Sequence, residues 1–431
     1  MQALSLIGIF IALGLIFYGS MKSITPIILA PIAALIVALT SGLNLSEVYA
    51  VTYMTGLGNF VRANFPIFLT GALFGKFLEV SGLCHSISKA IIGKFGSSKA
   101  ILAMALASVA LSIAGISAFV LIFTLYPMSV VLFREADIPR EIIPAALIGP
   151  SISASILPGL PSLYNGMAST HFKTTVAAAP ITGFVMGAVA LALCLLYLTR
   201  TVKKLKDKGL HYELLESDKK YFTEMEDKAG MPNPFLALIP VLVTLILLNV
   251  VRLTVAESLA FGCVVMIIMF FPRFRGKFKP LLDDAIRNSF AIVVTAAIVG
   301  FGSVVTTTAG YESVVSFLSR VSLGNPYILA FVSVNIVAAI TGSGGGGLTV
   351  AMTTVGEQAI AMGANVQSLT RVFIVSCLCF DTMPHNSVVV TSLNACSVKH
   401  AQGYKYLFAT NALVPTACAA VGIIMSTIGI L

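Results

Sequence analysis

Apolar runs of about 20 residues recur from one end of the chain to the other, separated by short polar breaks, and this spacing decides the solvent before anything else. Only 10% of the 431 residues are charged and 57% are apolar. Twenty-seven Lys and Arg with 18 Asp and Glu cannot cover a water-soluble fold of this length, which excludes a soluble globular enzyme. The mean hydropathy of +0.96 leaves no face for water. Runs this long and continuous indicate helices, since barrel strands alternate over about ten residues. The expected fold class is therefore an all-α polytopic membrane protein in contact with lipid.

In a soluble protein the formal charge of +9 would suggest nucleic acid. Here it marks cytoplasmic loops, and no nucleic-acid partner is expected. The seven Cys lie in or beside apolar stretches without a CxxC pair, so they read as small core residues and not as disulfides or metal ligands. Cys377 and Cys379 are two residues apart and face different ways on a helix. The first run, Leu4 to Tyr18, has no basic segment before it and no A-x-A after it, and reads as a retained helix. With Trp absent, interface anchoring falls to Tyr, Phe, Lys and Arg.

The chain repeats itself. Gly82 and Gly310 are 228 residues apart; Ile101-Leu102-Ala103 and Ile328-Leu329-Ala330, like Gly115 and Gly342, are 227 apart; Pro158 and Pro384 are 226 apart. This register defines a leading helix over 1–21, a first repeat over 22–199, a cytoplasmic linker plus one helix over 200–252, and a second repeat over 253–431. Loop charge indicates inversion. The linker carries Arg200, Lys203, Lys204, Lys206, Lys208, Lys219, Lys220 and Lys228, and the loop after Pro272 carries Arg273, Arg275, Lys277, Lys279 and Arg287. The first-repeat counterpart of that loop, Gly42 to Asn59, has no Lys or Arg. An inverted duplication with about ten to twelve spans accommodates this alternation and places both termini outside.

Lipid tolerates a break in a helix only where the break is packed in protein or lines a cavity, so breaks in matching places indicate a site. The first repeat offers Ala114 to Ser117, then Ser151, Ser153, Ser155, Pro158, Gly159, Pro161 and Asn165. The second offers Thr341 to Gly347, with five glycines, then Asp381, Thr382, Pro384, His385, Asn386 and Ser387. Glycines let backbone amides approach a ligand, and half-helix N-termini direct partial positive charge at an anion. Close packing through small residues is the alternative for Gly344 to Gly347, although packing motifs space glycines by a turn and do not cluster four. No strand precedes the cluster and no GK[ST] follows, so it is not a phosphate loop.

Asp381 is the most deeply embedded acid, ten residues beyond Arg371 in apolar text. Asp381 and His385 form a candidate proton-coupling pair, with a half-helix cap and a polar lining as their plainer roles. Substrate binding falls to Ser117, Ser153, Ser155, Asn165, Ser343, Gly344, Gly345, Gly346, His385 and Asn386: loop amides for a carboxylate, hydroxyls and amides for substrate hydroxyls. Lys76 and Glu79 are three apart and pair on one helix. Arg62 and Arg371 fall near the outer ends of their spans, where snorkelling is the simpler reading and an electropositive funnel the sharper one. An aspartyl protease needs a second buried carboxylate and a zinc enzyme needs HExxH or grouped His; neither pattern occurs, so no enzymatic activity, metal or cofactor is expected.

The stretch TGSGGGG from Thr341, with LTRVFIVSCLCFDTMPHNSVVVTSLNACSVKHAQGY up to Tyr404, resembles the gluconate permease family of the ion transporter superfamily. Its D-T-x-P-H-N element, Asp381 to Asn386, is the most specific part. By length, duplicated halves and the Ser-rich first break, the resemblance extends over the whole chain. It implies proton symport of a small hydroxy-monocarboxylate such as gluconate or 3-hydroxybutyrate across the bacterial cytoplasmic (inner) membrane. It also implies a homodimer with a scaffold and a moving elevator domain. Sodium coupling through Asp381 and backbone carbonyls is the alternative coupling, a passive channel the alternative transport mode, and an intramembrane enzyme the alternative class.

Impermeant thiol labelling of single cysteines in a Cys-free variant tests the topology. Cysteines at Lys208 and Ala50 are expected to react from opposite sides, Lys208 from the cytoplasm; labelling of Ala50 only from inside contradicts the inverted arrangement.

Overall fold

The computed structural model describes residues 2–22, 24–83, 86, 90, 94–95, 99–116, 118–218, 232–311, 313, 322–384 and 386–431. Every regular element among them is helical. The first half contains α1 (Gln2–Met21), α2 (Pro26–Thr40), α3 (Met54–Val80), α4 (Ala100–Ile113), α5 (Ala118–Glu135), α6 (Ile143–Ile148), α7 (Ser151–Ile156), α8 (Leu163–Phe172) and α9 (Pro180–Asp207). The second contains α10 (Leu238–Asn249), α11 (Val255–Phe274), α12 (Phe278–Ser289), α13 (Ala291–Val305), α14 (Pro326–Thr341), α15 (Gly344–Ala361), α16 (Val366–Ser376), α17 (Ser387–Ala395), α18 (His400–Phe408) and α19 (Val414–Thr427).

Five helical stretches among the described residues are long and apolar enough to cross a membrane. Their outward faces are apolar: α1 exposes Leu4, Ile7, Phe10 and Ile11, and α11 exposes Phe261, Val264, Ile268 and Phe271. Such faces are stable against lipid and not against water. The protein is an all-helical polytopic membrane protein.

Hydrogen bonds fix which ends coincide. α9 starts where the chain ends, with Ile181 N–H donating to Leu431 O (3.0 Å) and Thr182 Oγ1 to Ile430 O (3.0 Å). It finishes at a basic end, where Lys206 Nζ donates to Ala136 O just beyond α5 (2.7 Å). α4 and α5 are consecutive arms that turn at Gly115, which has a φ of +84° open to glycine at little cost. α14 begins at the opposite end, Asn325 Nδ2 donating to Thr427 Oγ1 (2.8 Å), turns at Gly342 and returns as α15. The two hairpins thus enter from opposite ends and carry their turns inward.

Two interrupted helices follow the hairpins. α6 and α7 run in from the basic end, break over 157–162, and α8 continues outward. α16 runs in from the other end, breaks over 377–386, and α17 continues to the basic end, where Cys396 O accepts from Arg140 Nε (3.0 Å). The packing is reciprocal: α2 lies on α13 as α11 lies on α3, α5 contacts α17 as α15 contacts α8, and α4 touches α9 as α14 touches α19.

Local signals start and stop these helices. Thr254 and Glu257 form a capping box on α11, and Asn325, Asn365 and Asn386 cap α14, α16 and α17 through their side-chain oxygens. At the basic end Lys76 Nζ pairs with Glu79 (3.0 Å), as the sequence indicates, and with Asp284 (3.3 Å). The described part of the linker is tied back there. Asp218 and Tyr126 bind the buried Arg140 guanidinium, and Asp137 accepts from Tyr212 N–H (3.0 Å) and meets the His211 ring (2.7 Å). Those two contacts, the Tyr212 amide foremost, hold the exposed Asp137 carboxyl below its ordinary range.

Candidate functional site

The site is built from the helix breaks. Gly342 closes α14 in the left-handed region (φ +62°), its N–H donating to Ala338 O (2.8 Å). Ser343 caps α15: its Oγ accepts the Gly346 N–H (3.2 Å) and its carbonyl accepts the Gly347 N–H (3.0 Å). The amides of Gly344 and Gly345, at the positive end of an 18-residue helix, carry no hydrogen bond among the described residues.

The glycines differ in what they do. A Cβ on Gly347 would lie 2.7 Å from Ala338 Cβ and 2.8 Å from Ala338 N, so this glycine lets the hairpin arms touch. A Cβ on Gly346 meets Ser343 Oγ and Ile298 Cγ2 at 3.4 Å. A Cβ on Gly345 finds only ordinary contact, Thr295 Cγ2 at 3.7 Å and Met167 Cε at 3.9 Å. A Cβ on Gly344 would meet Cys377 O at 2.5 Å, and Asp381 Oδ2 and the Tyr164 hydroxyl each at 3.0 Å. Packing through small residues and backbone approach to polar groups therefore both operate in one run.

The second break is held from three helices. Asn335 Oδ1 in α14 accepts the Phe380 N–H (3.0 Å), Thr382 Oγ1 donates to Asn411 O in a π-helical turn (3.2 Å), and Tyr404 of α18 donates to Thr382 O (3.1 Å). Asn386 ties it to the hairpin: Nδ2 donates to Gly342 O (2.9 Å), and Oδ1 accepts from Val388 and Val389 N–H (2.7 and 3.1 Å). The half-buried Asp381 accepts at Oδ1 from Thr382 Oγ1 (3.1 Å), and Oδ2 faces Gly344.

Arg371 does not snorkel. It is fully buried in α16. Nη1 donates to Asn165 Oδ1 (2.8 Å) and Ile156 O (3.1 Å), Nη2 to Val176 O (3.0 Å) and Ala178 O (2.8 Å), and Nε to Ala178 O (3.1 Å). The sequence places Arg371 six residues into α16, but backbone carbonyls at the end of α7 and before α9, with lone pairs to spare, draw it inward. Arg62 is exposed.

The structure gathers Ser343, Gly344, Gly345, Gly346, Asp381 and Asn386 around one point. Asn165 lies beside them with its amide committed to Arg371 and to Leu157 O and Leu160 O (3.1 and 3.0 Å). Ser153 and Ser155 sit on α7 and donate to their own chain, to Pro150 O (2.7 Å) and Ser151 O (3.2 Å). Ser117 and His385 lie outside the described residues. Tyr164, Asn335 and Asn411 join the site although sequence reasoning passes over them; a polar side chain in the middle of an apolar helix, as at Asn335, is the signal that could have found it. Among the described residues no group of three His, Cys, Asp or Glu side chains could hold a metal.

A family model described as GntP family permease matches residues 3–398. The chain belongs to that family. The permease is also 29% identical to an uncharacterized transporter, YxjC, of Bacillus subtilis (strain 168), over 99% of this chain and 100% of that protein. It is 24% identical to an uncharacterized transporter of Haemophilus influenzae (strain ATCC 51907 / DSM 11121 / KW20 / Rd), with 90% of each covered. Family and fold together make the permease a membrane transporter.

The Arg371 cage generates a test. Arg371→Lys supplies one nitrogen where three now serve four acceptors, so buried carbonyls and Asn165 Oδ1 lose partners, a loss of about 3 kcal/mol or more. The purified variant is expected to show a Tm several degrees below wild type in detergent, and unchanged melting contradicts the cage's structural role.

Proposed function

We propose that the permease is a proton symporter of a small hydroxy-monocarboxylate of the gluconate or 3-hydroxybutyrate type, working in the bacterial inner membrane. Asp381 carries the reading: an acidic side chain at the meeting point of a helix break and a Gly-rich hairpin, one oxygen bound by Thr382 and the other turned to the loop. A carboxylate held away from water is costly when ionised and unpaired, so it binds a proton and releases it as access alternates. The uncommitted Gly344 and Gly345 amides suit the substrate carboxylate. His385, four residues on in sequence, is the second group proposed for the proton.

The transport cycle in this reading uses two inverted repeats, one moving against the other as an elevator within a homodimer. Hairpins entering from opposite ends and the reciprocal packing of α2 on α13 and α11 on α3 support the duplication.

Replacement of Asp381 tests coupling. Asp381→Asn resembles the permanently protonated acid, so counterflow between two loaded sides is expected to persist while proton-driven accumulation falls to the background level. His385→Gln, measured beside it, reports whether the imidazole shares the proton. Full accumulation by both variants removes this pair from the mechanism and favours sodium coupling.

A further inference from the structure

We propose that Tyr164 is a specificity-determining residue which, together with Asp381, binds a hydroxyl group of the transported anion; this rests on the hydroxy-acid reading above. Tyr164 is the second residue of α8, directly after the break at 157–162, and Ser162 caps that helix by accepting the Asn165 N–H (3.1 Å). Asn165, the next residue, is anchored to the buried Arg371, so the start of α8 is fixed in place by that guanidinium. The hydroxyl of Tyr164 and Oδ2 of Asp381 each lie 3.0 Å from the position a Cβ would take on Gly344. The Tyr164 hydroxyl has no hydrogen bond among the described residues and no side chain among them bonds Asp381 Oδ2, whereas the neighbouring Asn165, Asn386 and Thr382 side chains are all committed. Because Gly344 carries no Cβ, both groups close in on the start of α15, where a Cβ would also lie 2.5 Å from Cys377 O.

The chemistry of that pair matches an alcohol. A substrate hydroxyl donates one hydrogen bond and accepts others. The phenol can donate and accept, and so can a carboxyl that gains and loses a proton, so the substrate hydroxyl finds both partners in either protonation state of Asp381. The carboxylate of the same substrate reaches the Gly344 and Gly345 amides at the mouth of α15. An anion of the same length without the hydroxyl leaves the phenol and the carboxyl unpaired in a confined place, and sites of this kind reject such analogues strongly.

Labelled 3-hydroxybutyrate and butyrate, which differ by that hydroxyl, test the assignment in proteoliposomes of the whole protein. Wild type is expected to favour 3-hydroxybutyrate by about 100-fold in kcat/KM. Tyr164→Phe keeps the ring and is expected to reduce that preference about tenfold or more, through KM for the hydroxy acid, with kcat within about twofold and an unchanged Tm. A purely structural role would alter Tm or kcat for both anions alike. Equal handling of the two anions by wild type, or an undiminished preference in Tyr164→Phe, overturns the assignment while leaving organic-anion symport standing. Absence of uptake of every hydroxy acid by wild type overturns both.

Discussion

A guanidinium removed from water must find acceptors for its N–H groups, and Arg371 finds them on both sides of the first helix break. It stands on α16 and binds the end of α7 at Ile156, the start of α8 at Asn165, and the turn before α9 at Val176 and Ala178. No carboxylate pairs with it among the described residues, so the charge is solvated by carbonyl dipoles instead. That arrangement joins residues about 200 positions apart in sequence and sets how α8 meets the Gly-rich hairpin. The places of Tyr164 and Met167 beside Gly344 and Gly345 follow from it.

Much of this was legible in the sequence, for short-range reasons. Apolar runs mark the helices, Gly115 and Gly342 stand at the hairpin turns with their positive φ, and Asp381 and Thr382 fall within the second break, which begins earlier, after Ser376. Asn325, Asn365 and Asn386 stand directly before their helices as caps, which needs no tertiary information. Ser343 and the glycines stand together in the sequence as one run. Their division of labour is not legible there, because whether Gly347 packs on Ala338 and Gly344 admits Cys377 O, Asp381 and Tyr164 depends on which atoms of α14, α8 and the break lie opposite.

The misread residues are those whose partners lie far along the chain. Arg371 near a helix end looks like an interfacial anchor until Ile156, Val176 and Ala178 offer carbonyl oxygens, Val176 O shared with the Gly159 N–H. Asn165 looks like a free ligand for a hydroxyl until Arg371 and two carbonyls occupy its amide. Tyr164 in turn gives no sign of its place, since an aromatic residue beside a helix start is most often packing. Spacing within a segment reveals helix faces and breaks; which face meets which requires the fold.

The proposed cycle depends on energy from a proton gradient being transferred to a hydroxylated anion. Uptake of labelled gluconate, 3-hydroxybutyrate, lactate and citrate into proteoliposomes, under an inward proton gradient and separately under an inward sodium gradient, examines this directly. Proton symport predicts that a hydroxy-monocarboxylate accumulates above its external concentration under the proton gradient alone. Accumulation driven only by sodium, or equilibration without accumulation under either gradient, would contradict it.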